Sequence, residues 1–317
     1  MRGKRVTGAL QAVLLLACAP ALLGLVPAAA AARVAAGEDP PPVAKQIRAA
    51  LAAGDEEEPL ERPLVNEKRL QKDVWQKWWT CAIEWDDHRG PICPLGDVDA
   101  ERKVVVYGDS HAGVWLPPLH RMGLQAGFRV VPLIKFGCVP FDVVQRNDGG
   151  PYPSCPKFRR WSERKIKGVD PALVILGYRG FWAVDPDPGE TVAESWKDGT
   201  RSAVRRLNKH TPRLVVLGDV PSKGLRPVEC LDADAHMGTC TTRVENKVLR
   251  ANQVTRQATR AAHARYVITQ NLVCADGRCP LVVERIVTYR DASHLSKTWT
   301  HRISDELRAR IRPAVNG

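Results

Sequence analysis

Two short motifs, far apart in the chain, together contain the residue types that attack an ester. Gly108-Asp109-Ser110-His111 supplies a serine hydroxyl, and Tyr289-Arg290-Asp291-Ala292-Ser293-His294-Leu295 places an aspartate and a histidine three positions apart. A serine hydroxyl is a poor nucleophile until a base takes its proton. In chain order, Ser110, Asp291 and His294 supply a nucleophile, a carboxylate that orients an imidazole, and the imidazole base.

Each motif alone has a simpler explanation. Asp109 or Ser110 can cap a helix N-terminus, and His294 can be a capping or surface histidine. His111 directly follows the serine and is an alternative base, but a neighbour in sequence projects elsewhere on a helix. Because both motifs occur in one predicted domain, we predict that Ser110 is the nucleophile, His294 the base and Asp291 its orienting carboxylate.

The elements that must position these residues are short apolar runs alternating with longer helical stretches. Strands are predicted at 104–107, 128–133, 173–176, 214–217 and 265–269. Helices are predicted from residue 110 to 125 and at 156–166, 191–209, 243–262 and 296–312. Continuous apolar strands between helices indicate a parallel sheet covered on both faces. Five such units predict a three-layer α/β/α sandwich with a central, mostly parallel five-stranded sheet, since a barrel needs eight.

The carboxyl ends of these strands are where chemistry is expected, because reactive groups gather there in open parallel sheets. The ends read Gly108-Asp109-Ser110-His111, Lys135-Phe136-Gly137-Cys138, Gly177-Tyr178-Arg179-Gly180 and Gly218-Asp219. Of the aromatic residues nearby, Trp115 is predicted either in the core or on an acyl pocket. Trp182 either stacks on a sugar ring or packs internally.

The first 32 residues have the pattern of a secretory signal peptide. Residues 1–5 are basic, residues 6–32 carry no charge, and the stretch ends in small residues. A single membrane anchor is the alternative, since about 20 apolar residues span a bilayer, and a lipoprotein signal at Cys18 is a third. We predict a secreted or extracytoplasmic protein that contacts a membrane only through this segment, if it is not cleaved.

The remaining chain divides into a tether and a catalytic domain. Residues 33–80 are rich in Ala, Glu and Pro and predict a tether with one short helix near 43–53. Helical periodicity also runs through 64–79. Residues 81–317 contain all the predicted strands and form the catalytic domain.

The cysteines support export. Without Cys18, eight of the nine remain, and they fall into sequence-local pairs. Many connectivities are possible, but nearest-neighbour pairing is the most economical, and an exported chain with an even number should form disulfides. The predicted bonds are Cys81–Cys93, Cys138–Cys155, Cys230–Cys240 and Cys274–Cys279. The chain has no Cys-x-x-Cys pair, and we predict neither a metal nor a cofactor.

Composition and charge limit the partners. With 44% hydrophobic and 26% charged residues, the chain is globular. Its net charge of +12 is spread over several predicted helix faces. A nucleic-acid partner is not predicted, because no module that reads nucleic acid accompanies this charge. Anionic cell-wall polymer or lipid headgroups are more natural targets.

The motifs resemble the SGNH, or GDSL-like, hydrolase superfamily, whose nucleophile lies in a Gly-Asp-Ser block and whose last block is Asp-x-x-His. They are most similar to the extracytoplasmic SGNH domain fused to membrane O-acyltransferases of the acyltransferase-3 type. The matching later segments are Lys135-Phe136-Gly137-Cys138-Val139-Pro140, Leu217-Gly218-Asp219-Val220-Pro221 through Cys230-Leu231, and Cys274 to Cys279 followed by residues 289–296. The similarity covers about residues 81–312 and implies a flavodoxin-like fold.

The resemblance also implies an oxyanion hole formed by the backbone N–H groups of Ser110 and Gly137. The superfamily's third block, Gly-x-Asn-Asp, is replaced here by Gly177-Tyr178-Arg179-Gly180. Loss of one oxyanion donor typically costs about 10²–10³ in rate. Arg179 is the candidate replacement, the alternative being a surface or ion-paired arginine. The Cys138–Cys155 bond is expected to rigidify the oxyanion wall.

Together these observations predict an extracytoplasmic serine esterase or O-acyltransferase acting on acyl groups, chiefly acetyl, of cell-surface carbohydrate. The substrate is an acylated carbohydrate or small ester, and Ser110 forms an acyl-enzyme. If the protein transfers the acyl group, a separate membrane acyltransferase is expected to supply it. The main alternative, favoured by the missing Asn, is a non-catalytic cell-wall or carbohydrate-binding protein on the same scaffold. A lipid esterase is a third possibility.

Overall fold

The computed structural model describes residues 42–60, 62–224, 226–231 and 234–315. The predicted signal peptide or anchor and the beginning of the predicted tether lie outside the described residues. None of the helices within the described ranges is both long and apolar enough to span a lipid bilayer.

The described chain contains ten α-helices and thirteen strands. The helices are α1 Pro42–Asp55, α2 Glu67–Leu70, α3 Gln76–Trp79, α4 Ser110–Gly113, α5 Leu116–Ala126, α6 Ser154–Val169, α7 Val192–Leu207, α8 Asn246–Ala261, α9 Lys297–Arg302 and α10 Ser304–Val315. The strands are β1 Leu95–Gly96, β2 Lys103–Gly108, β3 Arg129–Ile134, β4 Val144–Asn147, β5 Gly150–Pro151, β6 Leu173–Gly177, β7 Val184–Asp185, β8 Leu214–Leu217, β9 Thr242–Arg243, β10 Arg265–Val267, β11 Arg278–Cys279, β12 Val282–Val283 and β13 Ile286–Val287.

A six-stranded sheet forms the centre, in the order β1-β3-β2-β6-β8-β10. The five predicted strands are all present, and they pair in parallel. The sixth strand, β1, adds antiparallel to β3 at one edge. It was not predicted because Leu95-Gly96 is too short to show any periodicity. Gly108 at the end of β2 pairs with Ile134 of β3 and Gly177 of β6, so these three strands end together.

The sheet is covered on both faces, which confirms the predicted three-layer α/β/α sandwich. Val104 and Val106 of β2 join one hydrophobic core with α1, α5, α9 and α10. Val105 and Tyr107 join the other with α6, α7 and α8. Successive residues of a strand point to opposite faces, so a strand buried on both sides is apolar throughout.

Two predicted helices are interrupted. The stretch from 110 is divided into α4 and α5, and α5 has proline in its first turn, where a missing N–H costs little. The stretch 296–312 is divided into α9 and α10. The periodicity at 64–79 gives only the single turns α2 and α3. Between them, the buried Asp73 accepts backbone hydrogen bonds from Lys297 and Thr298, which fix this segment to the domain as an irregular chain.

The helix predicted near 43–53 is α1, and it is part of the core. Val43 and Ile47 are fully buried and contact the same hydrophobic cluster as α5 and α10. The tether was predicted over residues 33–80, whereas in its described part α1 and the side chains of Leu70, Val74 and Trp75 pack against the domain core. Arg278 also forms a two-pronged ion pair with Asp55 at the end of α1.

All four predicted disulfides are present. Their Cα–Cα distances are 5.7 Å for Cys81–Cys93, 5.5 Å for Cys138–Cys155, 5.8 Å for Cys230–Cys240 and 4.1 Å for Cys274–Cys279. Each bond closes a short loop, with sequence separations of 12, 17, 10 and 5 positions in the same order. Nearest-neighbour pairing is therefore confirmed.

Candidate active site

The end of β2 meets the end of β6 at unusually close range, and this contact sets the position of Ser110. A Cβ on Gly108 would overlap the carbonyl oxygen of Gly177, and a Cβ on Gly177 would lie 2.6 Å from the Cα of Ala112. Only glycine fits at either position. The first turn of α4 is thereby held directly above the sheet edge, and Ser110 is its first residue.

Ser110, His294 and Asp291 form a continuous hydrogen-bonded chain. The Ser110 hydroxyl lies 2.8 Å from Nε2 of His294. Nδ1 of the same imidazole lies 2.9 Å from both carboxylate oxygens of Asp291. This geometry allows the imidazole to accept the hydroxyl proton while the carboxylate holds its other nitrogen protonated.

The loop that carries Asp291 and His294 is fixed by its own backbone. Tyr289 and Leu295 form an isolated antiparallel bridge, and the Arg290 N–H donates to the His294 carbonyl at 3.0 Å. Oδ1 of Asp291 accepts the N–H groups of residues 293 and 294 at 2.9 and 2.8 Å. The aspartate therefore shapes the loop and also orients the imidazole.

Burial and charge set the protonation of this pair. Burial lowers the pKa of His294 to about 4, and the hydrogen bond that its imidazole donates to Asp291 opposes this shift only in part. Burial alone would raise the pKa of Asp291, but its hydrogen bond with His294 and the nearby charges, including Arg290, bring it well below its usual value. At neutral pH the imidazole is therefore uncharged and the carboxylate is ionised.

A second histidine–aspartate pair lies behind the first, and sequence reasoning missed its acidic member. Nδ1 of His111 lies 2.7 Å from Oδ1 of Asp219, and both side chains are 3% exposed. Burial lowers the pKa of His111, but the charge of Asp219 and its hydrogen bond outweigh this, so the net shift is upward. The rings of His111 and His294 lie 5.1 Å apart, edge to face. Since His111 is engaged by Asp219, it is His294 that contacts the serine.

Asp109 and Asp219 also hold the loop after β6. Asp109 accepts the N–H groups of His111 at 2.9 Å and Arg179 at 2.8 Å. Oδ2 of Asp219 accepts the N–H of Gly180 at 2.8 Å. The backbone of the loop that replaces the superfamily's third block is thus tied to the serine turn on one side and to β8 on the other. The advance signals for Asp219 were its position at a strand end and its place in the segment Leu217-Gly218-Asp219-Val220-Pro221, which resembles the family.

Removal of the His111 imidazole is expected to destabilise the fold. His111→Ala leaves the Asp219 carboxylate buried without its main partner, so we expect the free energy of unfolding to fall by about 3–5 kcal/mol. Urea unfolding followed by tryptophan fluorescence measures this.

His210 provides the matched control, because its pair with Glu163, at 3.5 Å, is partly exposed. His210→Ala should change the free energy of unfolding by less than about 1 kcal/mol. Equal effects of the two variants would contradict the buried-pair argument.

A pocket of about 290 Å³ opens over Ser110 and His294. The oxyanion-hole candidates Gly137 and Arg179 both line it, together with the aromatic side chains of Trp79, Trp85, Phe136 and Trp182. The Arg179 guanidinium lies 3.6 Å from the centre of the Trp182 ring. Trp115 does not line this pocket, since it is 2% exposed and belongs to the core.

Gly137 is constrained twice. Its φ of +61° favours glycine, and a side chain there would overlap the Trp85 indole. The next residue, Cys138, is bonded to Cys155 at the start of α6, so the wall that carries Gly137 is covalently fixed.

Among the residues that the structure describes, no group of three or more His, Cys, Asp or Glu side chains is placed to hold a metal ion.

Comparisons with known proteins agree with the fold and the motifs. A family model described as the SGNH domain fused to AT3 domains matches residues 80–309. A comparison with curated protein sequences gives no significant match. The periplasmic domain of a lipopolysaccharide acetyltransferase from Salmonella ser. Paratyphi A is similar in structure, with a TM-score of 0.53 and 16% identity, over 70% of this chain and 87% of that one.

Two other solved structures show weaker similarity. A carbohydrate acetylesterase from Sinorhizobium meliloti gives a TM-score of 0.40 at 14% identity, over 66% of this chain and 99% of that one. A GDSL-like lipase from Bacteroides thetaiotaomicron gives 0.38 at 13% identity, over 68% and 88%. The family match covers most of the chain and confirms the resemblance seen in the motifs. The chain belongs to the SGNH domain family that is described as fused to AT3 domains, and it is an SGNH-type serine hydrolase or acyltransferase.

Proposed function

We propose that the protein is an extracytoplasmic serine esterase or O-acyltransferase that acts on O-acyl groups, in particular O-acetyl groups, of cell-surface carbohydrate. The observation that carries this proposal is the unbroken hydrogen-bond chain from Ser110 through His294 to Asp291. Nucleophile, base and orienting carboxylate are already within hydrogen-bond distance, and they open into a pocket. Binding alone would not require this arrangement.

In the first step, Nε2 of His294 takes the Ser110 proton while Oγ attacks the ester carbonyl carbon. The tetrahedral intermediate collapses, the carbon–oxygen bond to the alcohol breaks, and the imidazolium returns its proton to the departing oxygen. An acyl-enzyme remains on Ser110. In the second step, His294 deprotonates water or a sugar hydroxyl, which attacks the acyl carbon and releases the serine. Hydrolysis and transfer differ only in this second nucleophile.

Three donors are proposed to stabilise the negative oxygen that forms during each attack. Two are the backbone N–H groups of Ser110 and Gly137, and the third is the guanidinium of Arg179, which lines the same pocket. Burial lowers the pKa of Arg179, but four nearby carboxylates, with Asp219 the largest contributor, oppose that shift. A charged donor in a partly enclosed site compensates for the absent Asn amide.

Arg179→Ala is expected to reduce kcat for a simple acetyl ester by about 10²–10³ with a much smaller change in KM, because the lost contact strengthens in the transition state. Arg179→Lys should restore only part of this rate, since an ammonium group lacks the planar fork and stacks less well on an aromatic ring. Steady-state kinetics with phenyl acetate measure both.

Arg201→Ala is the control, because Arg201 pairs with Asp198 on the exposed face of α7. If Arg179→Ala and Arg201→Ala gave the same kcat, Arg179 would have no part in oxyanion stabilisation.

The lowered pKa of His294 has a consequence for the pH profile. The base must be neutral to accept a proton, and a pKa of about 4 keeps it neutral at lower pH than an ordinary histidine. We expect kcat/KM for phenyl acetate to fall to half its plateau near pH 4, whereas an unperturbed base would give about 6.5. Circular dichroism at each pH shows whether the protein is still folded. A half-maximum of kcat/KM near pH 6.5 would contradict a base with the lowered pKa of His294.

A carbohydrate substrate and an extracytoplasmic location are supported by separate observations. Four disulfides are typical of oxidising compartments. The solved structure of similar fold is described as a periplasmic domain of a lipopolysaccharide acetyltransferase. For transfer, we propose that a separate membrane acyltransferase supplies the acyl group to Ser110.

The test is to incubate the purified protein with phenyl acetate and a panel of glycans. Acetate release is followed by coupled assay, and glycan acetylation by mass spectrometry. Acetyl appearing on a glycan identifies a transferase, and free acetate alone identifies an esterase. If neither product depends on Ser110, the proposal is wrong and the non-catalytic carbohydrate-binding alternative is favoured.

A further inference from the structure

A second cavity lies beside the catalytic pocket. It has a volume of about 770 Å³ and shares Trp85 and Trp182 with the pocket over Ser110. The catalytic pocket, at about 290 Å³, is at the lower limit of cavities that enclose a small ligand. It has room for the acyl group and the sugar that bears it, so any longer chain must leave through a neighbouring groove. Because the second cavity shares two tryptophans with the catalytic pocket, it is the adjoining groove that such a chain would enter.

Trp85 is held in place from beneath by a buried cation. Lys135 is fully buried, and its ammonium group donates to the carbonyl oxygens of Glu84, Trp85 and Asp87 at 2.5, 2.8 and 2.6 Å. The Ser154 hydroxyl also donates to the Trp85 carbonyl at 2.5 Å. The indole itself remains 36% exposed. The rings of Phe136 and Tyr152 also contact the indole. A partly exposed aromatic side chain that is already held in place binds a ligand at a lower entropic cost.

Trp182 is fixed in a similar way by Gln145. This buried amide donates to the carbonyl oxygens of Gly137 and Trp182, both at 3.0 Å. Its own oxygen accepts from the Val139 N–H and from the guanidinium of Arg159. Gln145 therefore joins the backbone of Trp182 to that of Gly137 in the predicted oxyanion wall.

The polar groups of the groove are mainly acidic. Asp86 and Asp148 line it with exposed carboxylates. Arg146 also lines it, but its guanidinium pairs with Asp185 at 2.9 Å, so its charge is balanced. The groove is acidic although the whole chain carries a net charge of +12. Carboxylates accept hydrogen bonds from sugar hydroxyls and repel anionic polymers.

We propose that this groove binds the uncharged oligosaccharide chain that extends from the acylated sugar, with sugar rings against Trp85 and Trp182 and hydroxyls donating to Asp86 and Asp148. The proposal rests on the proposed esterase or acyltransferase function and adds the acceptor's character to it. It replaces the expectation drawn from net charge alone, which favoured an anionic polymer as the partner.

The test measures acetate release from O-acetylated monosaccharides and tetrasaccharides of glucose, mannose and xylose, with phenyl acetate as a reference ester. Contacts beyond the first sugar should raise kcat/KM for the tetrasaccharide by about tenfold or more over the monosaccharide in at least one series. O-acetylated tetragalacturonate, a chain of the same length with a negative charge on each residue, should give no such gain.

The double variant Asp86→Asn/Asp148→Asn should lower this gain severalfold, because two charged hydrogen-bond acceptors are removed from the longer ligand. Asp170→Asn is the matched control, since Asp170 is also exposed and has the same left-handed backbone, φ +50° against +48° for Asp148, but lies at the end of α6 outside the groove. The gain is a ratio of two substrates, so a general loss of folded protein cancels.

The outcomes separate this proposal from the function on which it rests. Ser110-dependent hydrolysis of phenyl acetate with no gain in any neutral series would overturn the groove assignment and leave the esterase function standing. A larger gain with tetragalacturonate would show that an anionic polymer occupies the groove instead. Absence of any Ser110-dependent acetate release or glycan acetylation would overturn the proposed function itself.

Discussion

Ser110→Ala is expected to lower kcat/KM for phenyl acetate by about 10⁴-fold or more, because the nucleophile is removed while the pocket remains. The Ser110 hydroxyl contacts His294 at 2.8 Å and is a side chain of the first turn of α4, where alanine is also a good helix former. The fold should therefore be retained. A serine-reactive fluorophosphonate should label the native protein at Ser110 and leave the variant unlabelled, as measured by mass spectrometry of the labelled peptide.

Ser162→Ala is the control for this experiment. Ser162 is fully buried in the middle of α6, and its hydroxyl has no hydrogen-bond partner in the described structure, so its removal breaks no contact. This variant should keep full labelling and activity. Full activity in Ser110→Ala, or equal labelling of both variants, would remove Ser110 from the mechanism.

The sheet was predictable because its strands are buried on both faces. A residue pair such as Val104 and Val105 must be apolar at both positions, since each packs into a different core. The strand is therefore a continuous apolar sequence, which differs from the amphipathic pattern of the helices around it. The edge strand β1 lacks that signal, because a strand of two residues is too short to form an apolar run. The packing of α1 was also not predictable, since an Ala-rich helix has the same composition whether it is docked or free.

The candidate site likewise contains some residues that the local sequence identifies and others that it does not. Ser110, Asp291 and His294 could be identified because each lies in a short motif whose residues interact locally. The contact of His111 with Asp219 joins residues far apart in sequence and depends on the ends of β2 and β8 lying on either side of β6. No local pattern encodes that geometry. Lys135 is a similar case, because its three carbonyl partners belong to an irregular loop.

The position of Arg179 is consistent with its proposed role as an oxyanion donor in place of the absent Asn. The loop after β6 has no Asn side chain at this point. Its backbone N–H groups donate to Asp109 and Asp219, and these hydrogen bonds fix the backbone position of Arg179. Stacking on Trp182 then limits where the guanidinium can lie. A long, flexible side chain is thereby given a defined position, which an oxyanion donor needs because its value depends on being preorganised.

Asp291→Asn is expected to reduce kcat by about 10⁴-fold while the fold is retained. Oδ1 of Asp291 accepts the backbone N–H groups of Ser293 and His294, and an amide oxygen can keep both bonds. The amide NH₂ then faces Nδ1 of His294, where it can only donate. The retained Oδ1 also lies 2.9 Å from Nδ1, but it already accepts two backbone N–H groups. The amide donor therefore favours the tautomer with a lone pair at Nδ1 and the proton on Nε2, which faces the Ser110 hydroxyl without a free base.

Asp198→Asn provides the surface control, since Asp198 is half exposed on α7 and pairs with Arg201. It should leave kcat unchanged. Circular dichroism and urea unfolding should give Asp291→Asn a folded signal, because the loop's backbone bonds persist. A loss of kcat below about tenfold in that folded variant would mean that Asp291 does not set the tautomer of His294, and the base would have to be oriented in another way.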